Sequence, residues 1–432
     1  MKYFALALVL LVRWHATSPA QEPQAAAQES RVEHLQPLIT EALHANLQLR
    51  AARNSAAAAR ARVAQVTTWE APQLGVEFFQ TPIRSFPNPL KDQMEVDYFL
   101  QQMIPGPGKL SAMGVAAESN AGMMDQSAQA LERRIIRDLK TAYYELYLVQ
   151  RKIQINAESQ GLMRNFVQIA SKQYELGMGK QSDILRAQTE LSILINDDIT
   201  LQQEKQVVGS MINTILSRPV NTPLGYVPDI EAQTPQWTFD QVQWLALEAR
   251  AELKAMQHNI EMANAELLHS KREYFPDLMT RIMYKDMGMT KNDFWSVMVG
   301  ISLPLSPWSS SKYTSKVQEN ELNVRRAEEV YRNMKNMTLY EVQNALVKVQ
   351  TNHNLVLLYK NTVIPQAEQT LRSISSAYQT GKTEFLMVID AYRMLLMARL
   401  DYQMAVMNSM ASQAELEQAV GMDIRDMEVR IR

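Results

Sequence analysis

Tyr174-Glu175-Leu176-Gly177-Met178-Gly179-Lys180-Gln181-Ser182-Asp183-Ile184-Leu185-Arg186-Ala187 and Tyr378-Gln379-Thr380-Gly381-Lys382-Thr383-Glu384-Phe385-Leu386-Met387-Val388-Ile389-Asp390-Ala391 stand 204 residues apart in a chain of 432. At that offset Tyr174 falls on Tyr378, Gly177 on Gly381 and Ala187 on Ala391. The same offset places Ala42-Leu43 over Ala246-Leu247 and Glu70-Ala71-Pro72 over Tyr274-Phe275-Pro276. Agreement in register at separated blocks predicts one unit of about 200 residues built twice.

Both copies present their signals in one order. A helical stretch (33–69 and 238–273) leads to a proline and then to two runs that alternate with period two. In the first copy Leu74, Val76 and Phe78 alternate with Gly75, Glu77 and Phe79; on the return, Met94, Val96, Tyr98 and Leu100 alternate with Glu95, Asp97, Phe99 and Gln101. In the second, Leu278, Thr280, Ile282 and Tyr284 oppose Met279, Arg281, Met283 and Lys285, and Trp295, Val297, Val299 and Ile301 oppose Ser296, Met298, Gly300 and Ser302. Strands are predicted at about 72–82, 93–104, 276–286 and 293–304. Pro105-Gly106-Pro107-Gly108 and Pro304-Leu305-Ser306-Pro307 then break the backbone.

Long helices are predicted over 109–173 and 311–377. In the first, Leu131, Ile135, Leu139, Ala142, Leu146, Val149 and Ile153 recur at steps of three and four, a heptad seam; in the second, only Pro365 interrupts. Each ends at a glycine-bearing turn and is followed by a further helix, 182–217 or 384–420, which makes antiparallel hairpins. The repeats therefore run 36–220 and 236–421, with linkers at 21–35 and 221–235 and a tail at 422–432. At ~1.5 Å per residue each hairpin reaches ~90–100 Å, longer than any compact domain.

Composition removes other classes. Lys+Arg 44 against Asp+Glu 46 gives a net charge of −2, with no general attraction to nucleic acid. Cys is absent, which excludes disulfides, thiol nucleophiles and a lipidated cysteine. Met1-Lys2-Tyr3, the apolar run Phe4–Val12 and Ser18-Pro19-Ala20 predict a secretory signal peptide over 1–20, cut before Gln21. Later segments hold no run of apolar residues long enough for a spanning helix, so membrane attachment falls to the strands. Four strands cannot close a barrel in lipid, where a sheet edge cannot be exposed. Three chains would supply twelve.

This order of elements, with the two glycine-turn segments quoted above, resembles the TolC-type outer membrane efflux proteins. Ile212-Asn213-Thr214-Ile215-Leu216-Ser217-Arg218-Pro219 and Glu415-Leu416-Glu417-Gln418-Ala419-Val420-Gly421 are similar to the family's repeat ends. The resemblance covers about 33–421. It implies a mainly α fold with a small β part: a homotrimer whose twelve-stranded β-barrel sits in the outer membrane above an α-helical barrel crossing the periplasm. It also implies a passive tunnel that docks on a periplasmic adaptor and an inner-membrane pump, for tripartite efflux or type I secretion of drugs, metal ions or other small molecules. By resemblance, Leu176, Gly177, Met178, Gly179, Thr380, Gly381 and Lys382 contact the adaptor. Asp183, Arg186 and Asp390 form the gate, where three-fold symmetry makes each carboxylate a ring. The mixed strand faces predict a wet lumen with Glu77, Glu95, Asp97, Arg281 and Lys285, while Trp295 and Tyr98 meet lipid. A periplasmic structural or sensory coiled coil without a channel shares the heptads but leaves the paired strands and prolines unexplained.

Enzymatic chemistry shows no constellation, and no cofactor is expected. Gly177-Met178-Gly179-Lys180 lacks the phosphate-loop spacing, since Tyr174 and Gln181 occupy the positions that would need Gly and Ser or Thr. The six His have no metal-binding spacing. The 26 Met are many; Met394, Met397, Met404, Met407 and Met410 on the last helix, and Met279, Met283, Met287 and Met289 on or after the third strand, are expected to fill irregular packing gaps rather than bind metal.

Overall fold

The computed structural model describes residues 32–91, 94–231, 237–287, 292–304 and 306–431. The expected signal peptide, residues 21–31 and 232–236 of the two linkers, and Met289 lie outside the described residues. The first repeat runs α1 Leu35–Ala45, α2 Leu47–Thr67, β1 Gln73–Phe79, β2 Glu95–Ile104, α3 Lys109–Glu175 and α4 Gln181–Ile215. The second runs α5 Phe239–Ala249, α6 Ala251–Arg272, β3 Leu278–Asp286, β4 Phe294–Ile301, α7 Ser310–Leu358, α8 Ile364–Gln379 and α9 Phe385–Val420, and α10 Ile424–Ile431 follows. At 67 residues, α3 is ~100 Å long.

The duplication extends to backbone angles. Gly177 and Gly381 have φ of 75° and 72°, and Ser217 and Gly421, again 204 residues apart, have φ of 56° and 82°. Each expected leading helix is in fact two, broken at equivalent residues: Asn46 (φ −60°, ψ 120°) and Arg250 (φ −64°, ψ 120°) leave the helical region. Asn46 caps α2 by accepting the Leu49 N–H and donates its amide to the Ile215 carbonyl, 2.8 Å. Arg250 is buried and pairs with Glu341 at 2.5 Å. Tertiary partners, which periodicity does not reveal, supply these breaks. Pro365 is absorbed by a π-helical turn, Tyr359–Val363, between α7 and α8. Proline has no N–H to return to the preceding turn, and the wider turn relieves the ring's clash.

Heptad residues Ile135, Leu139, Ala142, Leu146 and Val149 of α3 are buried. They join Leu38, Leu49, Ile212, Val227 and Val406 in a central core, while separate cores lie near the hairpin ends (Met163, Phe166, Phe385, Tyr392) and around α5 (Val242, Leu245, Val349, Leu416). None of these clusters includes a strand residue.

The strands form one antiparallel sheet in the order β1-β2-β3-β4. Its central pairing, Val96↔Asp286 through Ile104↔Leu278, joins the two repeats, and β1 and β4 are edges. The junction to the helices is tied by Asp277, which accepts the Gly106 N–H at 2.7 Å and the Lys109 ammonium at 2.6 Å, while its own N–H donates to Ser302 Oγ at 2.8 Å. Burial opposes the charge on Asp277, but Lys109 and Gly106 outweigh it and hold the carboxyl below the usual range. Among the described residues no helix is long and apolar enough to cross a membrane.

Candidate functional site

The two hairpin turns are built alike. The Gly177 N–H donates to the Tyr174 carbonyl and the Met178 N–H to that of Gln173; likewise Gly381 donates to Tyr378 and Lys382 to Ala377, all between 2.9 and 3.0 Å. These are paired Schellman caps, with glycine taking the left-handed residue. A Cβ at either glycine would meet nothing within 4 Å, so their immediate surroundings are open. Leu176, Gly177, Met178, Thr380, Gly381 and Lys382 are exposed and Gly179 is half-buried; together they form one continuous end surface. Gln173 donates to the Gln379 carbonyl across the two turns at 2.9 Å, and Lys180 and Glu384, equivalent positions in the repeats, approach at 3.3 Å.

Of the three gate candidates, Asp183 is half-buried and its carboxylate accepts from the Lys180 N–H at 3.4 Å and the Tyr378 hydroxyl at 3.5 Å. Burial, with Asp183 alongside, pushes the Tyr378 phenol up to about 12. Asp390 and Arg186 are exposed, and Asp390 acts electrostatically on Arg393. Periodicity did not reveal the bond that joins the two hairpins here. Arg393 grips Glu190 in a bidentate pair, 3.0 and 2.6 Å, with Glu190 buried. The one available signal was a carboxylate at a position where the helix turns its packed face inward.

The five lumen candidates share one face of the sheet. Glu77 lies opposite Asp97, and Asp97 opposite Lys285. Lys285 reaches Glu95 at 2.5 Å and Asp97 at 3.2 Å. Arg281 stacks over the Phe99 ring at 4.3 Å and donates to Gln101 at 2.9 Å. Phe99 in turn covers Gly75, where a Cβ would lie 2.3 Å from the ring, so any larger residue there would have to displace the ring. On the opposite face Leu74, Tyr98, Trp295 and Val299 are exposed, Leu74 by 82% and Trp295 by 76%. Two-residue alternation thus divides a charged face from an apolar one with no protein cover in a single chain.

The methionines divide otherwise than expected. Met407 and Met410 pack against the central core, but Met394, Met397 and Met404 are exposed, as is Met387 on the same helix. Among the described residues no group of three His, Cys, Asp or Glu could hold a metal ion.

A family model described as Outer membrane efflux protein matches residues 38–205 and 244–422. The cobalt-zinc-cadmium resistance protein CzcC of Cupriavidus metallidurans is 21% identical over 309 residues, which cover 68% of this chain and 69% of that protein. Among solved structures, the outer-membrane channel OprN superposes with a TM-score of 0.75 at 18% identity, covering 96% of this chain and 98% of its own. CusC gives 0.77 at 17%, with 92% and 94% covered. The outer membrane protein VceC of Vibrio cholerae gives 0.76 at 18%, with 90% and 96% covered.

Proposed function

The chain belongs to the outer membrane efflux protein family, and from that premise we propose that three copies form a passive tunnel whose helical end engages a periplasmic adaptor. The observation that carries this reading is the sheet: four antiparallel strands with two open edges, one charged face and one apolar face. In lipid such edges must be paired, and three copies of four strands give a closed barrel of twelve. The strands have 7–10 residues, close to the ~9–11 of a tilted membrane-spanning strand, and would turn their apolar face outward to lipid. A coiled coil without a channel would leave that face without a role.

The hairpins then cross the periplasm, and the turn residues Leu176, Gly177, Met178, Gly179, Thr380, Gly381 and Lys382 dock on the adaptor, which an inner-membrane pump feeds. Asp183, Arg186 and Asp390 stand at the mouth, where the Tyr378–Asp183 contact and the Glu190–Arg393 pair hold neighbouring hairpins together. Glu77, Glu95, Asp97, Arg281 and Lys285 line the water-filled barrel. The cargo is drugs, metal ions or other small molecules; the name of the CzcC relative supports metal ions among them. The family is one of channel proteins rather than enzymes, and the protein supplies a path without catalysis. Purified protein reconstituted in planar bilayers should give discrete cation-preferring conductance and sediment as a trimer in mild detergent. A stable non-conducting monomer would overturn the assignment.

A further inference from the structure

We propose that the inner end of the barrel carries a thioether site for a soft monovalent cation of the Cu(I) or Ag(I) class, built on Met103 and Met279 with Met298 beside them. This rests on the reading of the charged sheet face as the lumen. Within the paired strands there are four methionines, Met103, Met279, Met283 and Met298, and strand register puts all four on the face of Asp97, Arg281 and Lys285. The other face takes its apolar residues from Leu, Val, Ile, Phe, Tyr and Trp, with no thioether. Methionine serving only as a hydrophobe would suit the lipid side equally well. Within the paired registers it lies on the side where water and cargo pass, while Met94, just before β2, is in phase with the other face.

The site's geometry follows from register. Met103 and Met279 are direct partners across β2 and β3, which sets their Cβ atoms ~4.5–5.5 Å apart, and three rotatable bonds each let the sulfurs converge on one ion. Gly300 is the partner of Met279 on the other side. A Cβ there would lie 3.4 Å from the Met279 methyl group, so glycine leaves that side chain its space. Met298, two residues before Gly300, is the diagonal neighbour on β4, within reach for a third sulfur. Met103 and Met298 are 43% and 37% exposed. The nearby Arg281 is engaged with Phe99 and Gln101, and water in the lumen screens its charge.

Neutral thioethers select soft d10 cations over Zn(II), Mg(II) or Mn(II), which favour imidazole, thiolate or oxygen ligands. A site of two or three thioethers, repeated in each copy around one axis, holds an ion briefly and releases it, as conduction requires.

The test is calorimetric titration of the purified full-length protein with Ag(I), with Zn(II) in parallel. Wild type should bind one Ag(I) per chain saturably and no Zn(II) at the same concentration. Met103→Leu combined with Met279→Leu keeps size and apolarity and should weaken Ag(I) binding at least tenfold; Met394→Leu with Met397→Leu on α9 should not. Equal Ag(I) binding by wild type and the barrel double variant, or no saturable binding by wild type, overturns the site. Planar-bilayer conductance separates the two readings. A conducting barrel variant that has lost Ag(I) supports the site, a conducting wild type that never bound Ag(I) refutes the site alone, and a non-conducting wild type refutes the channel.

Discussion

At Gly177 and Gly381 the backbone makes the same pair of capping hydrogen bonds, yet the tyrosines three residues before them differ. Tyr174 is 49% exposed, whereas Tyr378 is 6% exposed, packs its ring 5.2 Å from Phe385 and directs its hydroxyl toward Asp183. The neighbours follow suit: the first turn exposes Leu176 and Met178, the second Thr380 and Lys382. Duplication preserved the main chain because the left-handed residue and the caps depend on glycine and little else. Side chains then diverged, so that one turn became packed and the other exposes apolar residues. A trimer of such chains has six turns of alternating character, which reduces an apparent six-fold end to a true three-fold one.

The largest effects are expected when both turns are changed identically. Gly177→Trp and Gly381→Trp each force a bulky residue into positive φ, at ~1–2 kcal/mol, although a Cβ at either position has open space around it. Both variants should assemble normally by sedimentation and reduce drug or metal resistance to the level of a deletion strain. Retained resistance in either would remove that turn from the adaptor contact. Next in size, Tyr378→Ala should cost about 3–5 kcal/mol of local stability while Tyr174→Ala stays within ~0.5 kcal/mol, measured as hydrogen-exchange protection of the hairpin ends. Equal costs would mean that the two turns are packed alike.

How much of this could be read beforehand varies with how local the cause is. The 204-residue register, the alternating strand faces and the glycine turns follow from neighbours in sequence, and so they were legible. The pairing of β2 with β3 brings residues about 180 positions apart into contact, and nothing along the chain specifies it. Tyr378 carries no mark in the sequence to distinguish it from Tyr174; only the placement of Phe385 and Asp183 does so. The Glu190–Arg393 pair likewise joins positions that are not equivalent in the two repeats, so comparison of the repeats passes over it. Asn46 and Arg250 share a broken-helix geometry through unrelated side chains, which no residue match could have revealed.

Two smaller effects would sharpen the contrast. Glu190→Gln removes the charge that Arg393 grips. Because Arg393 is about half exposed, the expected loss is ~1 kcal/mol, seen as faster exchange in the adjoining turns of α4 and a larger single-channel conductance. Asp390→Ala, at an exposed carboxylate, should lower the cation-over-anion preference more than Asp183→Ala, whose charge is partly screened by Tyr378 and the Lys180 N–H; reversal potentials in a salt gradient give the order. Lys180→Ala should change nothing measurable, since its partner Glu384 is equally exposed.

The Asp277 junction has a mechanical consequence. It binds the start of β3 to Gly106 and Lys109 at the head of α3, so the two repeats are fastened to each other where the helices leave the sheet. Toward the opposite end a buried core that includes Met163, Phe166, Phe385 and Tyr392 joins the two hairpins to each other. The pair of hairpins is therefore one stiff cantilever clamped at the barrel, and a cantilever loaded along its length deflects most at its free end. A push from a docked partner would displace the turns, some hundred ångströms away, and leave the strands still.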